Sequence, residues 1–237
     1  MHNIKQNIIE DGYAVLNNFF LSDEIDQIIA TIDQADTSSN TFRKSVDLFA
    51  IRQFLKEVPA VKPLILSNKF IRLVKEVFGH DYFITKAIYF DKPKRSNWFV
   101  SYHQDITISV DKRIEILGFE AWSVKQDQFA VKPSLHFLQD SFTIRIHLDD
   151  TDENNGALKV IPKSHLKGFY RPETIHRHQE PETICNVKKG GVMIMKPLLL
   201  HSSNSSTSNT QRRVIHIEFC NKDIPGGLLW SEYLSIN

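Results

Sequence analysis

From Tyr82 onward the chain is a series of short β-type segments, and this series limits the fold more than any other feature. YFITKAIYF, NWFVSYHQD, SFTIRIHLD, ALKVIP, GVMIMKPLLLH and RRVIHIEF are rich in β-branched and aromatic residues, and turn material such as Asn154-Asn155-Gly156 and Gly190-Gly191 divides them. In SFTIRIHLD the two faces separate cleanly: Phe142, Ile144, Ile146 and Leu148 on one, Thr143, Arg145, His147 and Asp149 on the other. An apolar sheet face has to be buried under a second layer. The polar face is either solvated or turned into an interior that carries function.

Helical signals come first. Residues 13–16 (YAVL) read as a short strand, and Ser22 as the N-cap of a helix. Asp23 and Glu24 suit its positive end, and Ile25, Ile28, Ile29 and Ile32 recur at helical spacing until about Asp36. Residues 46–79 predict two or three further helices, interrupted by Pro59 and Pro63 and stopped by Gly79 behind Phe70, Leu73, Val74 and Val77. Helices followed by strands predict a mainly β chain with N-terminal helices, of α+β type. We expect a single domain over residues 1–237, with a mostly helical part (1–80) and a strand core (81–225). The stretch 111–134 is neither clear strand nor clear helix, and a segment of that length is expected to be a binding loop or lid. Residues 202–210 (SSNSSTSNT) read either as a surface loop or as the connection between two strands that both carry site residues.

Composition removes several functional classes. A net charge of +1 gives no general attraction to nucleic acid or an anionic membrane. No apolar run approaches the ~20 residues that span a bilayer, and the N-terminal MHNIKQNIIEDGY has no signal-peptide core. Cys185 and Cys220 make neither a C-x-x-C metal signature nor a disulfide framework, so a reducing cytoplasm is expected. Any metal has to be held by histidine and carboxylate.

Tyr102-His103-Gln104-Asp105 supplies such groups. In an extended segment positions i and i+2 point the same way, so the His103 imidazole and the Asp105 carboxylate can face one point. A non-haem iron site needs two histidines and one carboxylate, with positions left open for substrates and O2. H-x-D supplies two of the three, although the pattern also arises by chance. His201, at the end of GVMIMKPLLLH, suits the third place, and alone it reads equally as a strand-end histidine bonded to backbone. Eleven residues later Arg212 opens RRVIHIEF. An antiparallel return would bring it near His201, where its planar fork matches the far carboxylate of a dicarboxylic acid. Alone, Arg212 reads as a solvated strand-edge charge. The order H-x-D, His, Arg within these strands favours the site.

These motifs, together with Leu148-Asp149-Asp150, Asn155-Gly156-Ala157-Leu158 and Ile161-Pro162-Lys163-Ser164-His165, resemble the phytanoyl-CoA dioxygenase superfamily, which includes ectoine hydroxylase. The resemblance covers roughly residues 10–220. It implies a double-stranded β-helix (jelly-roll) core packed by helices. It also implies His103, Asp105 and His201 as Fe(II) ligands, and Arg212 as the clamp for the C5 carboxylate of 2-oxoglutarate. With O2, such an enzyme oxidises a small-molecule substrate and releases succinate and CO2. Related halogenases lack the carboxylate ligand, so Asp105 favours hydroxylation or a related oxidation. Lys163 stands where the family's turn usually has Gly, which should affect the turn rather than the chemistry.

Other residues carry two readings each. Lys86, on a strand face with Ile84, Ile88 and Phe90, either snorkels at an edge or points into a cavity as a partner for 2-oxoglutarate or substrate. Arg145 is read as interior and as a further candidate for binding 2-oxoglutarate. His216 is expected to support the site without ligating metal, and His165 to tie its turn together. Trp122 and Lys125 either contact substrate or pack the 111–134 stretch, while His136, His176 and His178 default to the surface. The competing functions are a cupin-like metal protein without 2-oxoglutarate chemistry and a non-catalytic ligand-binding relative. The primary substrate and the oligomeric state are not legible.

Overall fold

The computed structural model describes residues 2–36, 38, 41–44, 49–96, 98–125, 128–175 and 179–236. Its helices are α1 (His2–Glu10), α2 (Ser22–Asp33), α3 (Phe54–Glu57), α4 (Lys62–Ile65), α5 (Asn68–Phe78) and α6 (Leu135–Gln139). Its strands are β1 (Tyr13–Leu16), β2 (Phe42–Lys44), β3 (Phe49–Arg52), β4 (Phe83–Lys92), β5 (Val100–His103), β6 (Ile108–Val110), β7 (Glu120–Lys125), β8 (Gln128–Lys132), β9 (Phe142–His147), β10 (Leu158–Val160), β11 (Thr183–Cys185), β12 (Val192–Met195), β13 (His201–Ser203), β14 (Arg212–Cys220) and β15 (Leu234–Ser235). The chain is mainly β with N-terminal helices, as its sequence predicts.

Two antiparallel sheets matter for function. The large one runs β1-β12-β9-β14-β4-β3-β2, with β15 added to β4, and the small one runs β11-β10-β13-β5. The alternation in β9 decides how they stack. Its apolar face (Phe142, Ile144, Ile146) joins Ile215, Ile217 and Phe219 of β14 in a core shared with Ile25 and Ile28 of α2 and Phe70, Leu73 and Val74 of α5. Both helices are therefore held by their apolar stripe, each fully buried Ile or Leu contributing about 1.5–3 kcal/mol. The opposite face, with Thr143, Arg145 and His147, is also buried and turns toward the small sheet. A second apolar cluster, including Leu158, Val160, Met193 and Met195, fills one part of that gap.

Several expectations need correction. The α2 helix starts at Ser22 with Leu21 as N-cap. Leu21 offers no side-chain acceptor, and Glu24 Oε2 instead takes the Leu21 N–H at 2.7 Å. Within 46–79, helices begin only at Phe54 and are preceded by β3, which pairs with β4 through Ala50↔Phe90 and Ile51↔Tyr89. Sheet pairing overrides local preference there. GVMIMKPLLLH is not one strand: β12 ends at Met195, Pro197 follows, and His201 opens β13. The 111–134 stretch contains β7 and β8, which with β6 form a separate sheet, β6-β8-β7. Its core of Ile108, Val110, Phe119 and Val131 packs against Trp230, and Trp122 is partly buried beside it. The Lys125 side chain, His176 and His178 lie outside the described residues.

Candidate active site

The cavity between the two sheets is walled by both. The small sheet contributes Val100, His103, Leu158, His201 and Ser203, while Phe90, Arg145, Arg212 and His216 come from the large one.

His103 and His201 are register partners across β5 and β13. Each Nδ1 lies 2.9 Å from a carbonyl oxygen two residues back, Ser101 O and Leu199 O. Donation to those carbonyls places the proton on Nδ1 and leaves Nε2 as a bare lone pair. Both lone pairs face Asp105: His103 Nε2 is 3.7 Å from Oδ1 and His201 Nε2 is 3.7 Å from Oδ2. Burial holds His201 well below the usual histidine range, at about 4, so a proton on its Nε2 is disfavoured at neutral pH. Burial opposes the charge of Asp105, yet His201, His216, His103 and Lys86 outweigh it and bring the carboxyl down to about 2. Three acceptors thus face one another, one ligand atom from each lying within 4.8 Å of the others, and Asp105 Oδ2 is buried without a hydrogen-bond partner. A cation among them resolves this repulsion, and the donor set of two imidazoles and one carboxylate suits non-haem iron(II). Backbone placement supports the geometry, because the Asp105 N–H donates to Pro197 O at 2.9 Å.

Gln104, between the two candidate ligands of the H-x-D pattern, points away from the cavity. Its amide nitrogen donates to Gly168 O at 2.8 Å and Leu198 O at 2.6 Å, and its oxygen accepts the Tyr170 N–H at 2.9 Å. It fastens the segment after the Ile161–His165 turn to the ligand strand. Sequence reasoning passed over Gln104, although alternation within Tyr102–Asp105 gave the signal that it faces the other way.

Arg212 is buried, lines the cavity and donates from Nη1 to Gly156 O at 2.7 Å, while its Nε has no partner. Gly156 has φ +84°, and a Cβ there would stand 2.7 Å from both Asn204 O and Lys92 Nζ, so the close approach requires glycine. The strand that carries Arg212 does not neighbour β13 as expected: β14 lies in the large sheet and faces His201 across the cavity. Arg213 points to the other side, where its Nε and Nη2 hold Asp149 at 2.9 and 2.7 Å.

The remaining candidates separate. Arg145 lines the cavity and donates from Nη1 to His216 Nδ1 at 3.1 Å, its register partner on β14. The proton on His216 Nε2 then goes to Glu218 Oε1 at 3.1 Å, and Lys86 Nζ meets that same carboxylate oxygen at 2.9 Å. Lys86 is therefore an ion-pair partner of Glu218 outside the cavity lining, bonded toward it through Glu218, His216 and Arg145 and acting on Asp105 by its charge. His165 Nε2 lies 3.1 Å from Ile9 O and ties its turn to α1, as expected of a structural residue. Lys163 adopts φ +68°, the left-handed conformation for which glycine is better suited.

Comparison with known proteins bears on family and fold. A curated relative from Stutzerimonas stutzeri, a probable alpha-ketoglutarate-dependent hypophosphite dioxygenase, is 23% identical over a match covering 75% of this chain and 57% of that protein. The chain thus spans a little over half the length of that relative. Among solved structures, the non-heme alpha ketoglutarate dependent epimerase SnoN from nogalamycin biosynthesis is similar with a TM-score of 0.72 at 13% identity, over 100% of this chain and 98% of that one. EctD from S. alaskensis with 2-oxoglutarate and 5-hydroxyectoine gives 0.70 at 18% identity, over 93% and 76%. At such identities the likeness is one of fold. The phytanoyl-CoA dioxygenase (PhyH) family model matches residues 8–214, and the chain belongs to that family.

Proposed function

We propose that this protein is an Fe(II)- and 2-oxoglutarate-dependent oxygenase that oxidises a small-molecule substrate within a jelly-roll core. The observation that carries the reading is the meeting of the His103 and His201 Nε2 lone pairs with the Asp105 carboxylate, opposite a buried arginine in the same cavity. His103, Asp105 and His201 would hold iron, which when bound supplies the oxidative chemistry with O2. Leu199 O and Ser101 O fix the two imidazole tautomers. Arg212 holds the distal carboxylate of 2-oxoglutarate, and Gly156 O sets the angle of its guanidinium. Phe90, Trp98, Val100 and Leu158 supply the apolar wall that keeps water from the reacting centre.

The relatives are named for a hypophosphite dioxygenase and an epimerase, so the shared chemistry lies in iron and cosubstrate while the substrates differ. The test is aerobic incubation of the Fe(II)-loaded protein with 2-oxoglutarate, with succinate measured. Slow succinate release that disappears in Asp105→Asn is expected. A protein that binds Fe(II) but neither binds nor consumes 2-oxoglutarate would be a cupin-like metal protein instead.

A further inference from the structure

The inner face of the large sheet carries two cavity-lining guanidiniums, and the mechanism uses one. Arg212 and Arg145 are 3% and 6% exposed, and neither contacts a carboxylate. Arg212 is bonded to a carbonyl and Arg145 to a neutral imidazole acceptor, and the Nε atom of each lacks a partner. The nearby acid, Glu218, is already engaged by Lys86. Lys92, the register partner of Arg212, is buried behind the cavity wall with its amine on Asn204 O; burial and Arg212 bring it down to about 7, so it offers the arginines no counter-charge. Burial pushes Arg145 down to about 10 and Arg212 to about 9, so both remain cationic at neutral pH.

A charge balance follows. Among the described residues, the one carboxylate lining the cavity is Asp105, against the two arginines. Iron(II) and the 2-oxoglutarate dianion cancel each other, and Asp105 offsets one guanidinium. The other is left in a desolvated cavity with no counter-ion, which is strongly unfavourable.

Position tells which arginine is left over. Arg145 is opposite His216 on β14, four residues from Arg212, so the two backbone stations are roughly 13 Å apart along the strand. Asp105 supports the charge of Arg145, whereas the influences on Arg212 are burial and Arg145 itself. Arg145 is thus the arginine on the Asp105 side. A cosubstrate anchored at the metal and extended to Arg212 would leave the Arg145 charge without a counter-ion. We infer that the primary substrate is a compact oxyanion, a carboxylate or a phosphorus oxyanion, and that Arg145, steadied by His216 and Glu218, binds its negative charge. This deepens the oxygenase reading and rests on it.

Isothermal titration into the Mn(II)-loaded full chain tests the assignment, with 2-oxoglutarate first and then acetate, methylphosphonate or phosphite, and acetamide as the neutral control. At least one oxyanion should bind the Mn(II)–2-oxoglutarate protein while acetamide does not, and whether acetate or the phosphorus acids bind tells the two sources apart. Arg145→Gln should weaken that oxyanion at least about tenfold and leave 2-oxoglutarate within about threefold, with Arg145→Lys in between. The ligand-free thermal midpoint of Arg145→Gln should be unchanged or raised, because an uncompensated buried charge is removed. A fall of more than about 5 °C would make Arg145 a structural residue and overturn the proposal. So would oxyanion binding that survives Arg145→Gln, or 2-oxoglutarate binding with no oxyanion binding. Loss of 2-oxoglutarate in Arg145→Gln but not in Arg212→Gln would make Arg145 the cosubstrate clamp instead. If the wild type fails to bind 2-oxoglutarate, the oxygenase reading fails. The oxyanions titrated into the Mn(II) form then decide the charge argument alone, upheld by Arg145-dependent binding and overturned by its absence.

Discussion

Arg212 and Arg213 are adjacent, carry the same charge and do opposite things. One faces the cavity with a guanidinium Nε left unpartnered, and the other faces Asp149 with three donors in use, counting its backbone N–H at 2.8 Å. Arg212→Ala should therefore weaken 2-oxoglutarate by at least about tenfold in titrations of the Mn(II) form, since a hydrogen bond to a charged group is worth roughly 1.5–3 kcal/mol. Arg213→Ala should leave that affinity alone and lower stability instead, by about 1–3 kcal/mol in urea unfolding, because a partly buried Asp149 loses its fork. The reverse pattern would mean that the register of β14 is shifted by one. This split was legible from strand alternation, as was the shared direction of His103 and Asp105, whereas His201 was picked out by the order of the motifs and the family resemblance. The bonded roles of Gln104 and Lys92 were not, nor was the linking of Lys86, Glu218, His216 and Arg145 into one chain, although Arg145 was read as interior and His216 as supporting the site. A lone glutamine or lysine in a strand has no pattern that distinguishes a buried, bonded role from a solvated one. Only the pairing of β4, β9 and β14 brings their rows together.

The elements that the sequence misassigned or left unread are those whose form is set by neighbours. β3, expected as helix, exists because β4 offers it a ladder, and α1, given no reading, is fixed where His165 reaches Ile9 O. The strands β9 and β14 were legible because apolar residues recur at every second position along them, even though both faces are largely buried. The C-terminal segment is another element held from outside. β15 pairs with β4, and just before it the buried Glu232 accepts the Ala87 N–H at 3.1 Å. Burial, opposed by this hydrogen bond and by Lys86, raises its carboxyl from 4.5 to about 7. Between these values the folded chain holds a proton that the unfolded chain has released. The associated stability is full below about pH 4.5 and is lost as pH rises through about 7, with a total on the order of 3 kcal/mol. Glu232→Gln keeps an acceptor for Ala87 and removes the titration. Urea unfolding should show wild type losing stability relative to this variant between pH 5 and pH 8. Parallel profiles would place Glu232 in a more solvated setting.

At the scale of the molecule, the candidate metal ligands are confined to one edge of one sheet. β5 is the outer strand of the small sheet, it holds His103, and Asp105 follows it directly, while His201 lies on the adjacent β13. Among the described residues, the large sheet, packed by helices on its back, contributes no candidate ligand. A metal would therefore clamp the β5 edge to β13 rather than join the two sheets. Ligand binding to the native state alone stabilises it by mass action, by about 2.7 kcal/mol at a hundredfold excess over Kd. The local effect should be uneven. Mn(II) should slow hydrogen exchange of the amides in Val100–Asp105 and His201–Ser203, where the clamp closes an exposed sheet edge. It should leave Thr183–Cys185 of β11, at the far edge of the same sheet, unchanged. In Asp105→Asn the carboxylate charge is gone at nearly constant shape, so both the protection of β5 and the rise in thermal midpoint should vanish while the metal-free protein unfolds at the wild-type temperature or slightly above. Protection spread evenly over both sheets would mean that the ion acts on global stability from a site other than His103, Asp105 and His201.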